Sequence, residues 1–234
     1  MYCFSMTGKT FRRFTLLLLF IATPSFVFAE LLVDKAVVTF DSPLTNKQDI
    51  EITNTDENDK LYVSVEAYEV NAPGTSGERL VSLAGNPEPS FVATPSKLIV
   101  DPQSSSRVRL LNIDRSGDRE RIYRINFLPI SPPLELAEDP SQGVIKTAIE
   151  ILIAYQVLAI VLPENPQSKP VVMREGRKAT FANEGNANYV LTRGSQCNPA
   201  EPSVCEELPT KRVYAGNDWQ IDLPFDGSFT YTVR

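Results

Sequence analysis

Short apolar segments separated by turn residues run through most of the chain after residue 30. They are rich in β-branched and aromatic residues, which favour strands, and no helical periodicity stands out. Turn signals such as Asn71–Gly74, Asp101–Pro102 and Pro132–Pro133 separate them. The pattern predicts a seven-stranded immunoglobulin-like sandwich. Its predicted strands are Leu31–Phe40, Asp49–Thr53, Leu61–Val70, Phe91–Val100, Arg107–Ile113, Arg121–Ile130 and Ile145–Leu162.

A proline-rich stretch interrupts this pattern. Pro163 to Pro170 contains three prolines in eight residues, which indicates a stiff elbow and not the interior of a strand. We therefore predict an all-β fold of two immunoglobulin-like sandwiches, with domains over 30–163 and 171–234 and a linker over 164–170. The strands predicted in the second domain are Lys178–Phe181, Tyr189–Thr192, Lys211–Tyr214, Trp219–Leu223 and Phe229–Val233.

The segment Ile145–Leu162 is much longer than an ordinary strand of five or six residues. Lys146 and Glu150 disfavour a transmembrane helix, and a buried helix would lack a clean polar face, so a long strand fits its β-branched content best. Two hypotheses remain. The strand is central and buried on both faces, or it is an edge strand whose isoleucines are kept for a partner. On such a strand, Ile149, Ile151 and Ile153 share one face.

The first residues have the features of an export signal. Lys9, Arg12 and Arg13 precede an apolar run from Thr15 to Ala22, and Val27–Ala29 places small residues where signal peptidase cleaves. We predict that residues 1–29 are removed and that the protein is exported. An uncleaved membrane anchor is the alternative, but the apolar run is too short for a span.

Export would leave two of the three cysteines in the chain. A disulfide between Cys197 and Cys205 is then the expected state, with two unrelated free thiols as the alternative. The sequence contains no histidine, which excludes histidine-based catalysis and histidine metal ligands, and we expect no cofactor and no metal. A formal charge of −6 without a basic tract argues against binding to nucleic acid.

Several segments together resemble the periplasmic chaperones of chaperone–usher pilus assembly. They are Val33–Asp41, the block Ala93–Leu110, Asp118–Phe127, the long strand that ends at Pro163, and Asn183–Val190. Each alone is weakly specific, and their order and spacing along the mature chain carry the resemblance.

The resemblance implies a non-enzymatic function in the periplasm. Such a chaperone lends its long strand to a pilus subunit that lacks one of its own, a form of β-strand addition, and later delivers the subunit to an outer-membrane usher. The subunit-binding residues would be Ile149, Ile151 and Ile153. Burial of each isoleucine would contribute roughly 1.5–3 kcal/mol before ordering costs.

This sequence departs from the best-known members of that family at its basic positions. The arginine and lysine that anchor the subunit's terminal carboxylate correspond here to Val37 and Leu158. A domain-locking arginine is replaced by Leu162, although its acidic partner is retained as Glu120. These changes resemble the alternate or archaic branches of the family. Other basic residues would then anchor the carboxylate, and the candidates are Lys35, Arg109 and Arg124.

Two other functions are compatible with an exported all-β protein. A pilus subunit or adhesin would be one incomplete immunoglobulin-like domain, whereas this sequence predicts a full domain and a second one. An enzyme would need a carboxylate pair or a serine–lysine pair, and no such constellation is recognisable. An apolar edge strand also raises the alternative of a self-capping dimer before a subunit binds.

Overall fold

The structure is a computed structural model that describes residues 31–41, 45–114, 117–130 and 152–234. All regular elements in these ranges are β-strands, and none of the described residues form a helix long and apolar enough to span a membrane. The strands before the elbow are β1 (Leu31–Val33), β2 (Val37–Phe40), β3 (Lys47–Asn54), β4 (Leu61–Asn71), β5 (Arg79–Ser82), β6 (Phe91–Thr94), β7 (Lys97–Val100), β8 (Ser105–Asn112), β9 (Arg121–Pro129) and β10 (Tyr155–Val161).

These strands form two sheets that face one another. One sheet has the order β1-β3-β8-β6, and the other has the order β2-β10-β9-β4-β5 with β7 also paired to β4. Alternate residues of β3, β8 and β9 are buried, as expected where one face of a sheet meets a core and the other meets solvent. Large buried side chains fill the space between the sheets, including Phe40, Phe91, Tyr123 and Phe127.

Two segments predicted as single strands are each divided between the two sheets. In Leu31–Phe40, β1 pairs with β3 of the first sheet and β2 pairs with β10 of the second. In Phe91–Val100, β6 pairs with β8 and β7 pairs with β4. Pro95 lies at the second break, where it has no N–H to donate to a ladder, and it follows a cis peptide bond. The prediction of continuous strands was wrong at both places.

The strands after the elbow form a second, smaller sandwich. Its sheets have the orders β11-β12-β16 and β14-β13-β15, with β17 also paired to β13. Phe181 stacks on Trp219 at 5.6 Å between ring centroids, and Leu191 and Leu223 complete the buried centre. The strands are β11 (Pro170–Glu175), β12 (Lys178–Asn183), β13 (Tyr189–Asn198), β14 (Glu201–Leu208), β15 (Lys211–Val213), β16 (Asp218–Asp222) and β17 (Phe229–Val233).

The predicted disulfide is present in this second sandwich. Cys197 on β13 and Cys205 on β14 are directly paired residues joined through their sulfur atoms. Strand β14 is otherwise almost wholly exposed, so the bond ties an edge strand to its neighbour.

The sequence pattern did not predict three strands, β5, β11 and β14. Each lies at the edge of a sheet and is largely exposed, so it lacks the alternation of buried and exposed residues that reveals inner strands. The all-β fold class with two immunoglobulin-like sandwiches joined at a proline-rich elbow is confirmed.

Candidate functional site

Strand β10 has one edge that is only partly covered. Along its whole length it pairs with β9, from Tyr155 opposite Phe127 to Val161 opposite Arg121. Its other edge pairs with β2 only from Leu158 to Val161. No strand among the described residues pairs with that edge between Tyr155 and Val157. An edge without a partner strand is the kind of edge that a strand from another chain can join.

The two faces of β10 have different surroundings. Val157, Ala159 and Val161 point into the core of the first sandwich and are buried. Leu158 and Ile160 lie on the opposite face, where Ile160 packs with Val70 and Ile122 near Tyr214 of the second sandwich. We call this outer surface of the β2-β10-β9-β4-β5 sheet the junction face.

The residues just before β10 are exposed. Leu152 and Ile153 are each 44% exposed and make no ladder bonds. Ile153 has the same parity as Val157, so it continues the core-facing side of the strand beyond the part that β2 covers. Ile149 and Ile151 lie outside the described residues.

Val37 and Leu158, which stand where the resemblance places the basic residues that anchor a carboxylate, lie side by side. Val37 on β2 is the register partner of Leu158 on β10, and Leu158 is in turn the register partner of Arg124 on β9. Val37 is 45% exposed. A basic group therefore lies one strand away from the place where the resemblance puts the anchor.

The three candidate anchors do not lie together. Arg109 forms a two-nitrogen fork on Asp49, with Nε at 2.8 Å from Oδ1 and Nη2 at 2.9 Å from Oδ2. This hydrogen bond lowers the pKa of the Asp49 carboxyl and raises that of Arg109. Lys35 donates to the backbone oxygen of Asp49 at 2.7 Å, so both basic residues lie on the outer surface of the opposite sheet.

Arg124 is the candidate on the junction face. Its Nη2 lies 2.5 Å from Oε1 of Glu78, and its Nη1 donates to Oε1 of Gln156 at 3.1 Å. Gln156 donates onward to Asn126 at 2.8 Å, so a polar band crosses β9 and β10. The side chains of Arg124 and Glu78 are 31% and 24% exposed, which is less than for the pair of Arg109 with Asp49.

Glu120 joins the two sandwiches. One oxygen of its carboxylate accepts the backbone N–H of Ala215 at 2.8 Å, and the other accepts the backbone N–H of Asn188 at 2.9 Å and also its side-chain amide. Arg212 in turn donates to the side-chain oxygen of Asn188. Glu120 thus binds backbone amides of the second sandwich. Leu162, where the resemblance places an arginine, packs against the apolar cluster of Val70, Ile122 and Ile160.

Sequence reasoning identified Glu120 but not its partners Asn188, Ala215 and Arg212. Asn188 belongs to the Asn183–Val190 segment that carried the resemblance, which was the one available signal. The donor of Ala215 is its backbone N–H, which almost every residue type has, so the sequence could not identify it.

The turn between β4 and β5 also touches the second sandwich. Asn217 donates its side-chain amide to the backbone oxygen of Pro73 at 2.6 Å. Gly74 has a φ of 75°, and a Cβ atom there would lie 3.0 Å from the ring of Tyr214. The left-handed backbone and the close ring both favour glycine at this position.

No candidate metal site accompanies this edge in the described part of the chain. No three side chains of the metal-binding types come together within residues 31–41, 45–114, 117–130 and 152–234. The site therefore consists of the half-covered strand β10, the exposed Ile153 and the polar band on the junction face.

No protein-family model and no curated protein sequence matches the chain. Solved structures do. The class 5 fimbriae chaperone CfaA aligns with a TM-score of 0.60 at 17% identity, over 87% of this chain and 92% of that one. A chain of the Salmonella enterica complex of SafA pilin with the SafB chaperone aligns with a TM-score of 0.62 at 13% identity, over 89% and 91% of the two chains.

A third likeness is to an archaic system. A chain of the Acinetobacter baumannii CsuC–CsuE complex of a chaperone with a tip adhesion subunit aligns with a TM-score of 0.56 at 11% identity, over 88% of this chain and 97% of that one. Identities this low carry the fold alone. The chain therefore has the two-domain immunoglobulin-like fold of the fimbrial chaperones.

Proposed function

We propose that the protein is a periplasmic chaperone that binds pilus subunits by donor-strand complementation and delivers them to an outer-membrane usher. The observation that carries this proposal is the edge of β10. The strand is fixed in the first sandwich from Leu158 onward, while its edge from Tyr155 to Val157 is open and Ile153 is exposed beyond it. The fold and the resemblance of the sequence segments support the same function.

In this mechanism, the segment before Leu158 pairs with an exposed strand of the subunit. Backbone hydrogen bonds supply the pairing, and Ile149, Ile151 and Ile153 enter the groove that the subunit's missing strand leaves open. The chaperone acts without cofactor and is not an enzyme. The signal at residues 1–29 would bring it to the periplasm, where the Cys197–Cys205 disulfide is stable.

The pairing of the first sandwich argues against the pilus-subunit alternative. In an incomplete immunoglobulin-like subunit, the last strand is missing from the sheet. Here β10 occupies a place between β2 and β9. The chain carries its own complete sheet and a second sandwich as well.

Among the three candidate anchors, Arg124 has the most suitable position for a subunit's terminal carboxylate. It lies on the junction face beside Leu158, whereas Lys35 and Arg109 lie around Asp49 on the opposite sheet. Arginine can bind a carboxylate through two parallel N–H groups.

The decisive experiment is periplasmic co-expression with pilus subunits encoded beside this gene, followed by affinity purification. Wild type should yield a 1:1 complex, and the double variant Ile151→Arg/Ile153→Arg should lose it. The matched control is Val172→Arg/Met173→Arg on the exposed edge strand β11, where the side chains are 53% and 54% exposed. That control should keep the complex. Absence of a complex between wild type and every neighbouring subunit would contradict the proposal.

The same open edge could be covered by a second copy of the chain in the absence of a subunit. Light scattering during size-exclusion chromatography over a range of concentrations tests for such a self-capping dimer. A monomer at every concentration would exclude it.

A further inference from the structure

The strands that surround the open edge hold few basic groups. Strands β2 and β10 contain none, and β9 contains Arg121 and Arg124. Arg121 is turned toward the other sheet, where it binds the carboxylate of Asp114 at 2.8 Å. Arg124 alone among the basic residues of these three strands lies on the junction face.

The contact of Arg124 with Glu78 differs from the contact of Arg109 with Asp49 on the opposite sheet. Arg109 engages both oxygens of Asp49 with two nitrogens, which closes the fork. Arg124 meets Glu78 through Nη2, and its Nη1 donates to the neutral amide oxygen of Gln156. The guanidinium of Arg124 therefore binds only one carboxylate oxygen, although a guanidinium can bind both oxygens of a carboxylate through two parallel N–H groups.

Glu78 comes from a turn and not from the sheet. It precedes β5, and its second oxygen accepts the backbone N–H of Gly74 at 2.7 Å, which closes the turn on itself. The turn residues from Ala72 to Gly77 are mostly exposed. A carboxylate held by such a turn can leave Arg124 without disturbing the core of the sandwich.

From this geometry, and resting on the proposed function, we propose that Glu78 is a built-in competitor for a partner's terminal carboxylate. In the free protein Glu78 neutralises Arg124. When an extended polypeptide pairs with the open edge of β10, its C-terminal carboxylate replaces Glu78 on the guanidinium, while the turn stays attached to the second sandwich through Pro73.

The exchange keeps the guanidinium of Arg124 paired with a carboxylate throughout. A lone guanidinium on a partly buried surface would lose solvation, and a carboxylate from either source restores its pairing. The displaced Glu78 carboxylate keeps the N–H of Gly74 and turns to solvent, and this loss of its ion pair is the cost that the partner's carboxylate must offset. A partner that ends in a neutral group cannot make this exchange, so Arg124 supplies the preference for a free C-terminus and Glu78 lowers the affinity for it.

The test uses an acetylated octapeptide of alternating valine and threonine, as the free acid and as the C-terminal amide. Binding to the full mature protein is followed by NMR through the Arg124 side-chain and Gly74 amide signals. The acid should bind wild type more tightly than the amide and should move the Gly74 signal. Glu78→Gln should bind the acid about threefold to tenfold more tightly than wild type and the amide equally well.

Variants of Arg124, and of Asp49 on the opposite sheet as a control, complete the experiment. Arg124→Gln should abolish the preference for the acid, and Arg124→Lys should keep part of it. Asp49→Asn, which frees Arg109 instead, should leave both affinities unchanged. Thermal unfolding of each variant establishes that it is folded. Glu78→Asp is a further variant with a shorter carboxylate side chain, and its affinity for the acid should lie between those of wild type and Glu78→Gln.

Equal affinities of wild type for the acid and the amide would overturn the inference, as would a Glu78→Gln variant that binds the acid no more tightly. These outcomes concern the Arg124 site alone. Failure of the chaperone function is seen separately, as the absence of any complex with a pilus subunit in co-expression.

Discussion

The two ends of strand β10 have similar sequences and different surroundings. The inner end, from Val157 to Val161, pairs with β9 throughout and with β2 from Leu158 onward, and its core-facing side chains are buried. What we call its outer end is the segment from Leu152 to Ala154 just before the strand, which is exposed and has no ladder partner among the described residues. Both ends consist of aliphatic residues only, so composition does not distinguish them.

The difference lies in where β2 begins to pair. Ala36 accepts the N–H of Leu158, and the ladder between β2 and β10 starts there. Beyond that point the same kind of sequence is left open on one edge. One strand can thus be structural at one end and available for binding at the other, with the boundary set by its neighbour.

The largest expected effect comes from a charge at the inner end. Val157→Asp places an unpaired carboxylate at a site that is 1% exposed. The variant should lose about 4 kcal/mol or more of unfolding free energy, or fail to fold, because a buried charge without a partner is strongly disfavoured. Urea unfolding followed by circular dichroism measures this. The control is Gln156→Asp at the preceding position, where the side chain is exposed, and this variant should stay folded.

The attachment of this end to the second sandwich can be tested through Glu120. Glu120→Ala leaves the backbone N–H groups of Asn188 and Ala215 without their acceptors. We expect a loss of about 2–4 kcal/mol and a separation of the unfolding transitions of the two sandwiches in calorimetry. Glu120→Gln keeps one acceptor and should lose less. A single unchanged transition in Glu120→Ala would show that the apolar cluster alone couples the sandwiches.

The same junction should respond to alkaline pH through Tyr214. Burial raises the pKa of this phenol above its ordinary value of 10.0, with Arg212 and Arg124 acting in the opposite direction. The folded protein therefore keeps this proton to higher pH than the unfolded chain does. The associated stability is full below pH 10 and is lost as the pH rises through the raised pKa. Unfolding free energies from pH 8 upward should fall less steeply in Tyr214→Phe than in wild type.

The smallest effect on stability is expected at the outer end. Ile153→Asp alters a side chain that is 44% exposed and should change the unfolding free energy by no more than about 0.5 kcal/mol. The same variant should lose the subunit complex. Urea unfolding and co-purification, run on one preparation, separate the two outcomes. A stability loss comparable to that of Val157→Asp would mean that the two ends are equally structural.

Inner strands could be predicted from the sequence because burial on one face imposes alternation. Segments such as β4 and β9 follow this rule over most of their length. The edge strands β5 and β14 do not, and neither pattern nor propensity marked them. The breaks within Leu31–Phe40 and Phe91–Val100 escaped prediction because residues on both sides of each break are strand formers.

The candidate site was partly accessible in the same way. The disulfide between Cys197 and Cys205 followed from the cysteine count and the expected export of the chain. The binding role of Ile153 follows from the family resemblance and stays a prediction. The positions of Arg124 and Arg109 on different sheets did not, because basic residues on exposed strand positions look alike in sequence. Nothing in the sequence pointed to Glu78, since its contact with Arg124 depends on a turn that folds back onto β9.

The sequence by itself determined the strands with alternating burial, the elbow at Pro163–Pro170, the disulfide and the apolar length of the segment before Pro163. Each of these depends on local composition or on a spacing along the chain. Only the tertiary structure decided which edge of β10 is open, which arginine lies beside it and which acid faces that arginine. Those features depend on where β2 and the 72–78 turn come to lie, and contacts between residues distant along the chain set both positions.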